Sequence, residues 1–173
     1  MSHDPVEILA KQKCRETSHQ IVYEHSVRVW RIASDMTSHL EGFDFPLLYR
    51  ACLLHDVGRL YHPPQTKQAI RHGLTGADIL SGEGLYPEAK AAERHIGVGI
   101  TAEDVLHQGL PLPVADHVPR TDLEHIVAHA DNLDGKGIRD ERDVEERFAR
   151  ELGEEYKRRT RIFHLRVSRI LDR

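Results

Sequence analysis

Leu47-Leu48-Tyr49-Arg50-Ala51-Cys52-Leu53-Leu54-His55-Asp56 is an apolar run that ends on a histidine and an aspartate. Phe45-Pro46 opens it with proline in a first turn, where the missing N–H does no harm, and Gly58 stops it. The stretch predicts a buried helix to about residue 57, with two ion-liganding side chains at its end. An unpaired carboxylate there costs roughly several kcal/mol, so it requires a cation or a complete hydrogen-bond network. The fold and the chemistry both turn on which other residues meet this pair.

Outward from that run the chain reads as helix nearly throughout. Val22, Val29, Ile32, Ala33, Met36 and Leu40 recur at three- and four-residue steps, which predicts a helix over 18–40. Pro63-Pro64 forbids helix in the next connection. Further helices are predicted over 66–80, from Pro87 to about 97 and from Thr101 to about 108. Thr121-Asp122-Leu123-Glu124 is a capping-box pattern that opens another through Asp131, and a long charged helix follows over 143–171. No alternating strand run, repeat or low-complexity linker appears. The expectation is an all-α fold of one domain, its core over 18–134, with the C-terminal helix packing on it by an amphipathic face.

Composition narrows the function classes. The net charge of −4 gives no general attraction to nucleic acid or anionic membrane, and no basic stripe interleaved with aromatics appears. No stretch approaches the ~20 apolar residues of a membrane span, and the N-terminus lacks a basic start and an apolar segment. The only cysteines, Cys14 and Cys52, demand no disulfide, so a reducing cytoplasm is the expected setting.

Polar residues recur on the inward faces of other helices. His25 shares the stripe of Val22, Val29 and Ile32; Asp131 follows Val127 and Leu123 at helical spacing. His72 lies three after Ala69, and His95 three and four after Ala92 and Ala91. Singly, each such histidine is more simply a hydrogen-bonded core residue. Together His25, His55, Asp56, His72, His95 and Asp131 need common buried partners, and imidazole with carboxylate suits Mn, Fe, Co, Ni or Zn. Six ligands exceed one tetrahedral ion and fit two that share a bridging carboxylate.

The order His25, His55-Asp56, Asp131 resembles the H…HD…D signature of the HD superfamily of metal-dependent phosphohydrolases. Leu53-Leu54-His55-Asp56-Val57-Gly58-Arg59 is similar to its central motif, and His72-Gly73 to its histidine before a G-A-x-I-L helix. The resemblance covers about residues 22–134 and implies a helical HD bundle. It implies that His25, His55, Asp56 and Asp131 hold one ion, and that His72 and His95 hold a second with Asp56 bridging. The two extra histidines resemble the binuclear branch, which includes the small symmetrical diadenosine-tetraphosphate hydrolases. Arg59 stands where lysine is common; arginine keeps the charge and offers phosphate a bidentate fork.

The chemistry these residues imply is hydrolysis of a phosphate ester or anhydride of a nucleotide-like substrate. The expected nucleophile is water that two divalent ions would activate, since coordination lowers water's pKa from about 15.7 toward ~7. Asp56 and Arg59 are the expected catalytic residues, and Arg59, Lys67, Arg71 and Arg94 the expected phosphate contacts. The expected partner is a phosphorylated small molecule rather than nucleic acid or membrane, and a homodimer is compatible with the chain. His19, His39, His62, His107, His117, His125, His129 and His164 are assigned surface or local structural roles. Two readings compete: a non-catalytic HD module that binds a nucleotide or partner, and a mononuclear 5′-nucleotidase, which His72 and His95 disfavour.

Overall fold

Inward-facing stripes at helical spacing produce helices packed side by side, as the computed structural model of the protein shows. It describes residues 4–12, 16–62 and 64–173, so Cys14 and Pro63 lie outside the described residues. The helices are α1 (Pro5–Ala10), α2 (Glu16–Thr37), α3 (Phe45–Leu54), α4 (His72–Gly82), α5 (Tyr86–Arg94), α6 (Ala102–Gln108), α7 (Asp122–Leu133), α8 (Glu141–Leu152) and α9 (Glu154–Leu171). Short 3₁₀ turns cover Val57–Leu60 and Lys67–Arg71. Among the described residues the only sheet-like pairing is one bridge between Ile100 and His117, and no helix is long and apolar enough to cross a membrane.

Two apolar clusters make the core. One joins α2, α3, α7 and α9 through Val29, Cys52, Ile126, Phe163, Val167 and Ile170; the other joins α1, α3 and α4 through Ile8, Leu54, Val57 and Leu80. Residues 52 to 57 pass from the first cluster to the second, which sets His55 and Asp56 between them. α4 approaches its neighbours closely because it is small on that side: a Cβ on Gly73 would lie 2.9 Å from the Ala92 carbonyl oxygen of α5.

Local signals act as the sequence predicts at several ends. Asp44 caps α3 by accepting from the Leu47 N–H at 2.9 Å, and Thr101 with Asp104 forms a reciprocal capping box on α6. Thr121 caps α7, but Glu124 turns its carboxylate to the Arg120 N–H at 2.7 Å instead of completing the box on Thr121. Three expectations are corrected. The helix over 66–80 is a 3₁₀ turn followed by α4, with the change of geometry at His72. The helix over 143–171 breaks into α8 and α9 at Gly153, whose φ of 97° suits only glycine without strain. Helix α1, capped by Asp4, forms in a segment where none is predicted.

His129 and His164 are buried where α7, α8 and α9 meet, with ring centroids 5.3 Å apart. Burial, with the neighbouring His164 adding to it, pulls the His129 pKa from 6.5 down to about 3. Glu141 comes within 3.5 Å of its Nε2, but that carboxylate is half exposed and screened by water. Below pH 6.5 the unfolded chain takes up a proton that the folded one refuses. Stability is therefore lost progressively as pH falls from 6.5 toward 3, at up to about 1.4 kcal/mol per pH unit for this group. Urea unfolding of His129→Leu at pH 7 and pH 5 is expected to show a shallower loss than wild type; equal losses would exclude His129 as a source.

Candidate metal centre

In a continuous helix, successive side chains diverge by about 100°. The chain leaves α-geometry at Asp56 (φ −102°, ψ 14°), between the end of α3 and the following 3₁₀ turn, and here His55 and Asp56 face one centre. His72 lies at the junction of a 3₁₀ turn with α4, His95 at the C-cap of α5, Asp131 in the last turn of α7 and His25 midway along α2. The six side chains expected as ligands are all brought together.

Their mutual geometry divides them. His25 Nε2 stands 3.2 Å from His55 Nε2 and 3.0 Å from Asp131 Oδ1. His72 Nε2 and His95 Nε2 are 3.0 Å apart, and lie 3.1 and 3.3 Å from Asp56 Oδ1. The other carboxylate oxygen of Asp56, Oδ2, is 3.7 Å from His25 Nε2. His25, His55 and Asp131 form one group able to hold an ion, and His55, Asp56 and His95 another.

Helix ends dictate the protonation of these rings. The last carbonyls of a helix lack intrahelical donors. His55, His72 and His95 each donate Nδ1–H to the carbonyl three residues back, of Cys52, Ala69 and Ala92, at 2.7, 2.7 and 2.8 Å. A carbonyl only accepts, so the proton is on Nδ1 and the neutral ring turns its Nε2 lone pair to the centre. His25 does the same through Asp134, which accepts from its Nδ1 at 2.7 Å. Four lone pairs and two carboxylates then face one another, and Asp56 Oδ1 is buried with no hydrogen-bond partner. Such a donor set repels itself unless a cation or added protons sit within it, and it fits divalent metal.

The electrostatics agree with that crowding. Burial alone would lower the His25 pKa, yet Asp131, with Asp56 and Asp134 behind it, raises it from 6.5 to about 9. Burial would raise Asp56, but His72, His95 and the charge of His55 hold it well below the ordinary carboxylate range. Asp131 is lowered likewise, against its burial, by His25 and His55. Without metal the centre attracts protons; with metal the cation takes their place.

The expected phosphate contacts are distributed differently. Arg59 reaches Asp56 Oδ1 with Nε at 3.4 Å and lines the cavities beside the centre. Lys67 lines one of these, a cavity of about 330 Å³ that also touches His72. Arg71 is exposed and donates to the Pro111 carbonyl at 3.2 Å. Arg94 pairs its guanidinium with buried Glu124 at 3.0 Å, so its charge is already answered within the fold. His62, on the loop after the His55-Asp56 pair, bonds Thr75 Oγ1 at 2.8 Å. Asp134 is the residue that sequence reasoning missed. It orients His25 while Arg28 donates to it at 2.9 Å, and its spacing of three from Asp131 was the available signal.

A helical bundle with a buried, acceptor-lined histidine–aspartate centre that could hold divalent metal is the arrangement of an HD-type domain. The HD domain model matches residues 22–136, and the chain belongs to that family. It is 37% identical over 163 residues to an uncharacterised protein of Methanocaldococcus jannaschii, covering 91% of this chain and 90% of that one. It is 39% identical over 120 residues to the tRNA (cytidine(56)-2'-O)-methyltransferase of Picrophilus torridus. That match covers 68% of this chain but only 33% of the methyltransferase. The HD domain of the L. monocytogenes phosphodiesterase PgpH shares the fold, with a TM-score of 0.57 at 14% identity over 99% of this chain and all of that one. The same domain is also solved with cyclic-di-AMP.

Proposed function

We propose that the protein is a binuclear metal-dependent phosphohydrolase acting on a phosphate ester or anhydride of a nucleotide-like small molecule. The observation that carries the reading is the placement of Asp56, with Oδ1 against the His72–His95 pair and Oδ2 toward His25. On this reading His25, His55, Asp56 and Asp131 hold one divalent ion, and His72, His95 and the shared Asp56 hold the other. When bound, the ions supply Lewis acidity and an activated water at neutral pH. Asp134 fixes the His25 ring so that Nε2 alone faces the centre. Arg59, beside Asp56 and lining the cavity, orients phosphate oxygens through its planar fork, and Lys67 adds charge next to His72. A fold shared with a domain solved with cyclic-di-AMP is consistent with a nucleotide ligand.

The test is metal content together with hydrolysis of bis(p-nitrophenyl) phosphate and a panel of nucleotides. The expected result is two divalent ions per chain and activity abolished by chelation. His72→Ala is expected to lower the content to one ion, whereas loss of both ions in equal measure would remove the case for two separable sites. Full activity in His72→Ala with a single ion would favour the mononuclear reading.

A further inference from the structure

A cavity of about 270 Å³ opens directly beside the metal centre. His95, Asp131 and Arg59 line it. Another part of its wall comes from α8 and α9, which lie beyond the stretch of the family match, through Arg147, Phe148, Leu152 and Tyr156. α9 is tied down there, since Arg159 donates to Asp104 at 2.8 Å and to the Gly99 carbonyl at 2.9 Å. At about 270 Å³ the cavity lies near the lower end of ligand pockets, which run from roughly 300 to 1,000 Å³, a size that points to a small molecule.

Arg147 is the unusual member of that wall. Its guanidinium lies 4.6 Å over the Phe148 ring. Its Nη2 has only the neutral Asn132 Oδ1, at 3.2 Å, and its Nε is buried with no acceptor. Among the described residues no carboxylate comes within 4.0 Å of it, whereas partly buried Arg94 and Arg159 each have one. A fixed, half-buried cation without a counter-charge, facing a cavity, invites an anion from solution.

We propose that Arg147 binds a second anionic group of the substrate, apart from the phosphate at the metal centre. The substrate class is then a small compound with two phosphates close together on an apolar or aromatic body, of the nucleoside diphosphate kind. The inference rests on the two-ion reading. Two carboxylates against two divalent ions leave about two positive charges, which one phosphate at about −2 balances, so Arg147 has charge to spare for another. Phe148 both holds the guanidinium flat and gives the body of the ligand an apolar wall. On this account α8 is the specificity element of the protein, and Arg147 acts on binding rather than on the bond that breaks.

The experiment is calorimetric titration of the ion-loaded protein with AMP and with α,β-methylene-ADP. Wild type is expected to favour the diphosphate by about tenfold or more, the value of one charge-assisted contact. Arg147→Ala is expected to abolish that preference while AMP affinity stays within about threefold, and Arg147→Lys to keep part of it. Arg150→Ala, an exposed arginine of the same helix, is expected to keep all of it. A wild type without the preference, or an Arg147→Ala that retains it, overturns the proposal. If Arg147→Ala does not fold, Arg147→Gln, which keeps the length of the side chain, reads the same comparison. Metal content measured on the same samples separates the two readings: loss of the preference in a protein holding a single ion keeps the anion site and sinks the two-ion account.

Discussion

Asp56→Ala is expected to bring the bound divalent metal from two ions per chain to one or none, and to reduce phosphodiester hydrolysis by on the order of a thousandfold or more. Lowering the pKa of water from about 15.7 toward ~7 is the service a complete site provides, and that service is lost with the site. The scale follows from the position of one carboxylate. Its Oδ1 is within 3.3 Å of both His72 and His95 Nε2, and its Oδ2 is on the side of His25. No neighbouring acid can substitute: Asp131 is engaged with His25 at 3.0 Å, and Asp134 accepts from His25 Nδ1 and Arg28 on the outer side. Asp56→Asn keeps the shape without the charge, so equal metal loss in both variants assigns the effect to ligation, whereas retention in Asp56→Asn would assign it to packing. Retention of two ions by Asp56→Ala, read by elemental analysis, would remove Asp56 as the bridge.

How much of this was legible depends on whether a residue sits in an apolar register. His25, His55, Asp56, His72, His95 and Asp131 each interrupt a hydrophobic stripe, so the all-α class and the inward placement of these six side chains could be read from spacing, while their expected role as ligands came from the resemblance to the HD pattern. The break at Gly153 could not, because residues 143–171 carry charges of both signs and the apolar positions run through the glycine in nearly unbroken helical phase. Arg94 shows a second limit. A basic residue beside a histidine expected as a ligand reads as a phosphate contact, and only tertiary packing shows Glu124 of another helix paired with it. Arg147 is the reverse case, an arginine in a charged helix that reads as solvated surface and instead lines the cavity, its Nε buried without an acceptor. For both arginines the missing knowledge was long-range pairing, which sequence-local patterns do not carry.

Gly58→Ala is expected to destabilise the fold by about 3 kcal/mol or more, above the usual overpacking range of roughly 1–3 kcal/mol, and, on the two-ion proposal, to weaken the ion assigned to His72. A methyl on Gly58 would lie 2.0 Å from the His72 carbonyl oxygen and 2.8 Å from the Gly76 nitrogen. Both are backbone atoms of the first turns of α4, so no side chain can swing away and the helix itself must retreat from the 3₁₀ turn over Val57–Leu60. His72 moves with it, and its Nε2, now 3.1 Å from Asp56 Oδ1, leaves the shared carboxylate. The glycine of the His55-Asp56-Val57-Gly58 stretch is thus required by close approach, at a position where its φ is not of the left-handed kind. For a chain of this size such a loss corresponds to a fall in Tm of about 6–12 °C. Gly82→Ala at the end of the same helix has nothing within 4 Å of its new Cβ, and is expected to be neutral or slightly stabilising. Thermal unfolding of the two variants, with and without added divalent metal, checks the contrast. A Gly58→Ala protein with wild-type Tm and full metal content would mean that α4 does not seal the centre as described.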